Sequence, residues 1–327
     1  MFIETTVIDA GGRYGLHPSW KSFLGELRYY LFEPDAVECE RLRTKYLRRA
    51  DEIFVLDNAL DEKDGVLEID IFMNRAMSSS AVRKPVSSLF KDERLREVEI
   101  VERIKVKSRS IDSFSVENGL QVDFLKLDTE GSEMDILVGA TSQISESVIG
   151  IRVEVAFDHI FAGKPLFGNI SSFLLDKDFF LLNLDYNGRG DYQNEFVSVD
   201  SKYGILTASD AVFLKRKSSV FGMDEVEGPS QAIRILKYAA FCFNNGAPDV
   251  GLDILLCARR DHGVNFEIVN MTRLFSYVDR IVHKHFYSLK WQPGQSLQRH
   301  ADFYKQIFGK DMRIMNQYME SIELNPD

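Results

Sequence analysis

Short apolar runs closed by glycine or by an acid, each followed by a segment of helical period, recur from Thr6 onward, and this alternation is what most restricts the fold. Thr6 to Ala10 is one such run, ending in Gly11 and Gly12, and from Leu16 the apolar spacing becomes Leu16, Trp20, Phe23, Leu24 and Leu27, which reads as a helix. Tyr29 to Phe32 is a second strand ending at Glu33, Asp35 to Ala50 a helix, and Ile53 to Leu56 a third strand. Strands and helices in this order build a parallel, doubly wound sheet.

The middle of the chain breaks the pattern. Leu67, Ile69 and Ile71 alternate with Glu68 and Asp70, and Ile104 and Val106 with Arg103, Lys105 and Lys107, so half-exposed antiparallel strands are expected there. Asn74 to Arg96, rich in Ser and charge, reads as a mobile loop near the sheet rim. The β/α order returns with Val122 to Asp128 and a helix after Gly131, where Ser132 and Asp135 have capping-box spacing. Ile149 to Val155, Phe179 to Leu184 and Ala211 to Leu214 are the fifth to seventh strands, with Ile170 to Asp176 a helix and Asn187-Gly188 a turn.

Beyond Lys217 the periodicity is helical. The expected organisation is an α/β domain over residues 1–218, a linker over 219–228 and a helical extension over 229–327, serving as a lid, acceptor-binding or dimerisation element. Ile233, Leu236 and Ala240 would pair with Leu252, Leu255 and Leu256, with further helices over Ile268 to Tyr287 and Gln298 to Ile322. No fixed period recurs three times, which disfavours a helical-repeat array.

With 50 acidic against 40 basic residues in 327, the chain carries a formal charge of -10, which argues against broad nucleic-acid or anionic-lipid contact. Its three cysteines, Cys39, Cys242 and Cys257, form no CxxC pair, so neither a disulfide framework nor a thiolate zinc site is suggested and a cytoplasmic location is expected. The first residues lack the basic flank and apolar core of an export signal, and no apolar stretch approaches the roughly 18 residues of a membrane span.

The loop Asp9-Ala10-Gly11-Gly12-Arg13-Tyr14-Gly15 joins strand to helix, and Glu33 closes the next strand 22 residues beyond Gly11. Glycines admit close approach of a cofactor, and a carboxylate at the second strand can accept both ribose hydroxyls. The pattern is not GxGxxG. A carboxylate two residues before the first glycine suits a cofactor's amino group or positive charge better than a pyrophosphate, favouring S-adenosylmethionine over NAD. Against this stands the plain steric explanation for a glycine-rich turn. Asn58, after the third strand, offers the donor and acceptor an adenine edge requires, or else satisfies its own turn. The stretch from Val122 to Glu133 delivers Asp128, Glu130 and Glu133 to the edge where ligands bind in open α/β sheets. Lys126 shares a strand face with Asp128, so it either pairs with Asp128 or Glu154 or extends its ammonium to the rim.

Together these segments resemble the FkbM-type S-adenosylmethionine-dependent methyltransferases. The resemblance lies in Val7 to Gly15, Phe32-Glu33-Pro34-Asp35, Asn58-Ala59-Leu60 followed by Gly65, Ser110 to Phe114, and above all Asp123 to Ala140, in order across the first half of the chain. It implies a Rossmann-like class I methyltransferase with a seven-stranded, mostly parallel sheet, and methyl transfer to a hydroxyl of a sugar, glycan or natural product. It also implies that Asp9, Gly11, Gly12 and Gly15 shape the methionine pocket, that Glu33 holds the ribose and that Asn58 faces adenine. Where the family usually has Ala and Asn, this chain has Gly12 and Arg13; Arg13 is expected to point outward, bind the methionine carboxylate or contact an anionic acceptor.

An alcohol acceptor needs a base, and Asp128 and Glu130, supported by Glu154, are the expected catalytic carboxylates, with Lys126 a further candidate. His159 reads as a solvent-facing loop histidine, and His283 and His285 fall on different faces of a helix. Asp128 with Asp158 could hold Mg²⁺, but nothing in their spacing requires a divalent metal and none is assigned. Arg103, Lys105, Lys107 and Arg109 form a charged strand face, expected to be solvated. The competing functional readings are a catalytically silent module of the same fold and an NAD-dependent oxidoreductase; a homodimer is compatible with the aromatic-rich C-terminal helices.

Overall fold

The computed structural model describes residues 4–23, 27–81, 96–159, 162–190, 204–222, 229–264 and 266, the side chains of 21–23, 186–190 and 229–230 excepted. The chain divides into two units, the first spanning Glu4–Met223.

In the first unit β1 (Thr5–Ala10) is flanked by β2 (Leu27–Phe32) and β7 (Phe124–Leu127), with β3 (Ile53–Leu56) beyond β2 and β8 (Gly150–Ala156) beyond β7, all parallel. β10 (Ile205–Lys215) and β9 (Phe179–Gly190) complete a seven-stranded sheet of order β3-β2-β1-β7-β8-β10-β9, β10 antiparallel to both neighbours. A second sheet joins β4 (Ala59–Leu60), β6 (Ile100–Arg109) and β5 (Gly65–Phe72), with Leu67 opposite Val106 and Ile69 opposite Ile104 in antiparallel register. On its exposed side Arg103 pairs with Asp70, Lys105 with Glu68 and Arg109 with Glu117.

Helices α1 (Ala36–Lys45), α2 (Ile111–Asn118), α3 (Glu133–Val138), α4 (Thr141–Glu146), α5 (Phe167–Leu175) and α6 (Lys217–Gly222) fill the connections. One sheet face is apolar: Ile8, Leu125, Leu127, Ile151, Val153 and Phe213 are fully buried and form one cluster with Ile136, Leu137, Ile144 and Leu174 of α3, α4 and α5. Each such side chain contributes about 1.5–3 kcal/mol of transfer free energy. The last unit contains α7 (Pro229–Asn244) and α8 (Pro248–Asp261), packed together over Tyr238, Phe241, Phe243, Ile254 and Leu255. Gly251 permits the approach, since a Cβ there would lie 3.0 Å from the Ala239 carbonyl oxygen. Among the described residues no helix is long and apolar enough to cross a membrane.

Four local expectations change. No helix starts at Leu16: His17 precedes Pro18, whose ring keeps His17 out of the α region, and a 3₁₀ turn over Pro18–Phe23 follows, with Leu27 already in β2. Asn187 and Gly188 are not a turn but part of β9, paired with Ser209 and Ala208 where the register shifts, a bulge that such residues tolerate. Ser132 makes no capping bond to α3; its hydroxyl pairs with Ser80 at 2.7 Å. Ser219 to Gly222, read as linker, belongs to α6, where Val220 is buried. The helices expected over 268–287 and 298–322, with His283 and His285, lie outside the described residues.

Candidate active site

β1, β2 and β7 end at the same edge of the sheet, and the loops that follow them enclose a cleft lined by Gly11, Glu33, Asn58, Asp128, Thr129 and Glu130, with Ile69 and Ile71 of the second sheet on its apolar side. The loop after β1 fits because it is glycine. Gly11 has φ +78°, and a Cβ on it would come within 1.7 Å of the Asp128 carbonyl oxygen; its amide donates to the Phe32 carbonyl at 3.1 Å. Gly12 and Gly15 shape this loop without lining the cleft: a Cβ at Gly12 would strike the Leu31 side chain and one at Gly15 the Tyr46 hydroxyl.

Glu33 is 5% exposed, and one of its carboxylate oxygens accepts from the Asp35 amide at 2.9 Å. The other has no partner among the described residues, and burial pushes the carboxyl up to about 7. Asn58 likewise lines the cleft with its amide unpartnered among the described residues. A buried acceptor awaiting donors, an amide edge and an aliphatic wall are the donor set a ribose and an adenine would use, so the residues fit a nucleoside cofactor.

Arg13 lines the cleft at the wall that Asp35 and Arg75 also form. Its guanidinium donates to Asp35 at 3.3 Å and to the Arg75 carbonyl at 3.3 Å and lies 3.8 Å from Glu38. Burial opposes the charge on Asp35, but hydrogen bonds from Arg75, at 2.7 Å, and from Arg13 hold its carboxyl below the ordinary range. Arg75 and Ser79 belong to the stretch read as a mobile loop; in its described part, 74–81, Ser79 donates to the Glu130 carbonyl at 2.5 Å, so this segment is tied to both sides of the cleft.

Asp9 does not reach the cleft. It is fully buried, accepting from the Tyr29 hydroxyl on one oxygen and from Lys126 Nζ, at 3.2 Å, on the other. Lys126 also donates to Asp128 at 3.4 Å, and does so instead of pairing with Glu154. Burial alone would lower the Lys126 ammonium, but Asp9 and Asp128 outweigh it and raise its pKa. Glu133 turns back to accept from the Thr129 amide at 2.8 Å and from the Gly131 amide at 3.0 Å, so it braces the loop rather than facing a ligand. That loop holds Glu130 at φ +59°.

Glu154 lines a neighbouring cavity that shares Glu130 with the cleft and also includes Asp158 and Lys164. Burial, then Glu130, Asp128, Glu133 and Asp210, push its carboxyl well above the usual range. Asp158 and His159 are exposed. Among the described residues no three acidic, histidine or cysteine side chains are grouped to hold a metal ion. The sequence reading missed His17, lowered to about 4 by burial and then by Arg152 and Lys126, and Arg152, which pairs with Asp185 at 2.6 Å and Asp210 at 3.2 Å. The strand alternation that placed Lys126 with Asp128 also places Arg152 beside Glu154, and was the available signal.

The FkbM methyltransferase domain model matches residues 10–181, more than half of the chain. The chain belongs to the FkbM methyltransferase family. Among solved structures, the FkbM methyltransferase from Methylobacillus flagellatus KT is similar at 16% identity with a TM-score of 0.38, over 65% of this chain and 44% of that one. This chain thus spans less than half of that structure. M. capricolum TrmK, in complex with S-adenosylhomocysteine, is similar at 10% identity with a TM-score of 0.30, over 88% of this chain and 92% of that one. No curated protein matches. In this member of the FkbM methyltransferase family, the cleft at the ends of β1, β2 and β7 is the candidate active site.

Proposed function

We propose that this FkbM methyltransferase uses S-adenosylmethionine and methylates a hydroxyl of a sugar, glycan or natural product. The observation that carries this reading is Glu33: a buried carboxylate at the end of the second strand with one oxygen left open toward the cleft, the acceptor a ribose diol needs. Asn58 would read the adenine edge, and Ile69 and Ile71 would pack on its face. Bound there, the cofactor supplies a methyl group on a positively charged sulfur. An alcohol attacks it well only as its proton leaves, and Asp128, beside Lys126 and 40% exposed at the side chain, would take that proton. Glu154, whose surroundings favour its protonated form, suits hydrogen-bond donation to the acceptor better than proton removal.

The test is incubation with S-adenosylmethionine and a panel of methyl glycosides, their deoxy counterparts and simple amines, followed by measuring S-adenosylhomocysteine. Formation with hydroxylated acceptors, lost in the matching deoxy compounds, is expected. Formation with amines alone would overturn the O-methyl assignment.

A further inference from the structure

The glycine loop's acidic residue looks from the sequence like a cofactor ligand, yet both Asp9 oxygens are engaged inside the sheet. Asp9 on β1 is directly opposite Lys126 on β7, and the Lys126 ammonium lies 3.2 Å from Asp9 and 3.4 Å from Asp128. Tyr29 from β2 donates to the oxygen of Asp9 that Lys126 does not use. The row therefore runs from a fully buried anion, through a cation with 7% of its surface exposed, to a carboxylate at the cleft. An ammonium has three donors and no acceptor, so two carboxylates can share it, and a deep partner fixes where the long side chain ends.

We propose that Asp9 and Lys126 are positioning residues: Asp9 anchors the Lys126 ammonium, which holds the Asp128 carboxylate in place at the cleft, and Asp9 does not contact the cofactor. The functional weight of this arrangement rests on the reading of Asp128 as proton acceptor. The groups around Asp128 show why a cation is needed. Glu130 follows it in the loop, Glu154 and Arg152 come from β8, Asp210 from β10, Glu133 from α3 and His17 from the loop after β1. Arg152 is engaged by Asp185 and Asp210, His17 is held neutral, and among the described residues the cation bonded to Asp128 is Lys126. Burial, opposed by Lys126 and by the Tyr29 hydrogen bond, raises the Asp9 carboxyl, consistent with a residue that depends on its partner.

The test uses full-length protein labelled with ¹³C at the Asp side-chain carboxyls, the Asp128 signal being assigned by its loss in Asp128→Asn. In the Asp9→Asn/Lys126→Met protein, which removes the ammonium bonded to Asp128, the Asp128 carboxyl signal recorded at one fixed pH should move from its parental position. In Lys126→Arg, which keeps the cation, it should stay at the parental position. In Asp9→Asn, S-adenosylhomocysteine affinity by calorimetry should remain within about twofold, because no cofactor contact is lost. An unmoved Asp128 signal in the double variant, or a loss of affinity of about tenfold or more in Asp9→Asn, would overturn the proposal. None of these readouts requires an acceptor. Full methyl transfer by Asp128→Asn would remove the base assignment while leaving the result on the Asp128 signal intact, so the two failures are distinguishable.

Discussion

β1, β7, β8 and β10 present two faces made by alternate residues of the same strands, and the faces could hardly differ more. On one, Ile8, Leu125, Leu127, Ile151, Val153 and Phe213 are fully buried against α3, α4 and α5. On the other lie Asp9, Lys126, Asp128, Arg152, Glu154 and Asp210: Lys126 joins Asp9 to Asp128 and Arg152 pairs with Asp210, with Asp210 opposite Glu154 and Arg152 opposite Lys126. A buried ion pair repays its desolvation poorly as a source of stability. The charged face is therefore best understood as the working face and the apolar one as what holds the sheet together.

That division can be broken in order of expected effect. Asp128→Asn should lower methyl transfer by about 10²–10⁴-fold, the usual loss for a general base, and leave the denaturation midpoint nearly where it was; a large stability loss would show Asp128 to be structural. Leu125→Ala should do the reverse, costing about 2–5 kcal/mol in denaturant unfolding while S-adenosylhomocysteine affinity survives in the folded protein. Glu33 sharpens the comparison by pH. Its folded carboxyl, pushed up to about 7 by burial, sits above its ordinary value of 4.5, so the folded state binds the extra proton and stability falls as pH rises through that window. A ribose diol wants the ionised form, so S-adenosylhomocysteine affinity should climb about tenfold per unit well below pH 7 and level off above it. Calorimetry on Glu33→Gln should show this slope gone. Smallest is Asp35→Ala, which removes the N-cap of α1 and the partner of Arg13 and Arg75 and should cost about 1 kcal/mol of stability in thermal unfolding.

The succession of strands along the chain was legible because apolar alternation and glycine turns are local signals, and Gly11, Glu33, Asn58, Asp128 and Glu130, each at a strand end or in the loop after it, line one cleft. Lys126 with Asp128 was readable as a same-face pair, but its deeper partner was not. Asp9 lies 117 residues away, and its register opposite Lys126 is set by sheet order rather than by anything near it in the chain. The bracing of the cleft by Arg75 and Ser79 was equally invisible, since a Ser-rich segment looks mobile until Asp35 and the Glu130 carbonyl meet it from two sides. Ser132 misled for the opposite reason: its local capping signal lost to Ser80, more than fifty residues away, and Glu133 took up the amides of Thr129 and Gly131.

The most direct test of the account is a calorimetric titration of S-adenosylhomocysteine into the intact protein and into Glu33→Ala at a pH above 7. Binding at one site per chain, weakened by about tenfold or more in the variant, is predicted from the loss of a buried acceptor. Equal affinity in both proteins, or no binding to either, would contradict the placement of the cofactor at the ends of β1 and β2.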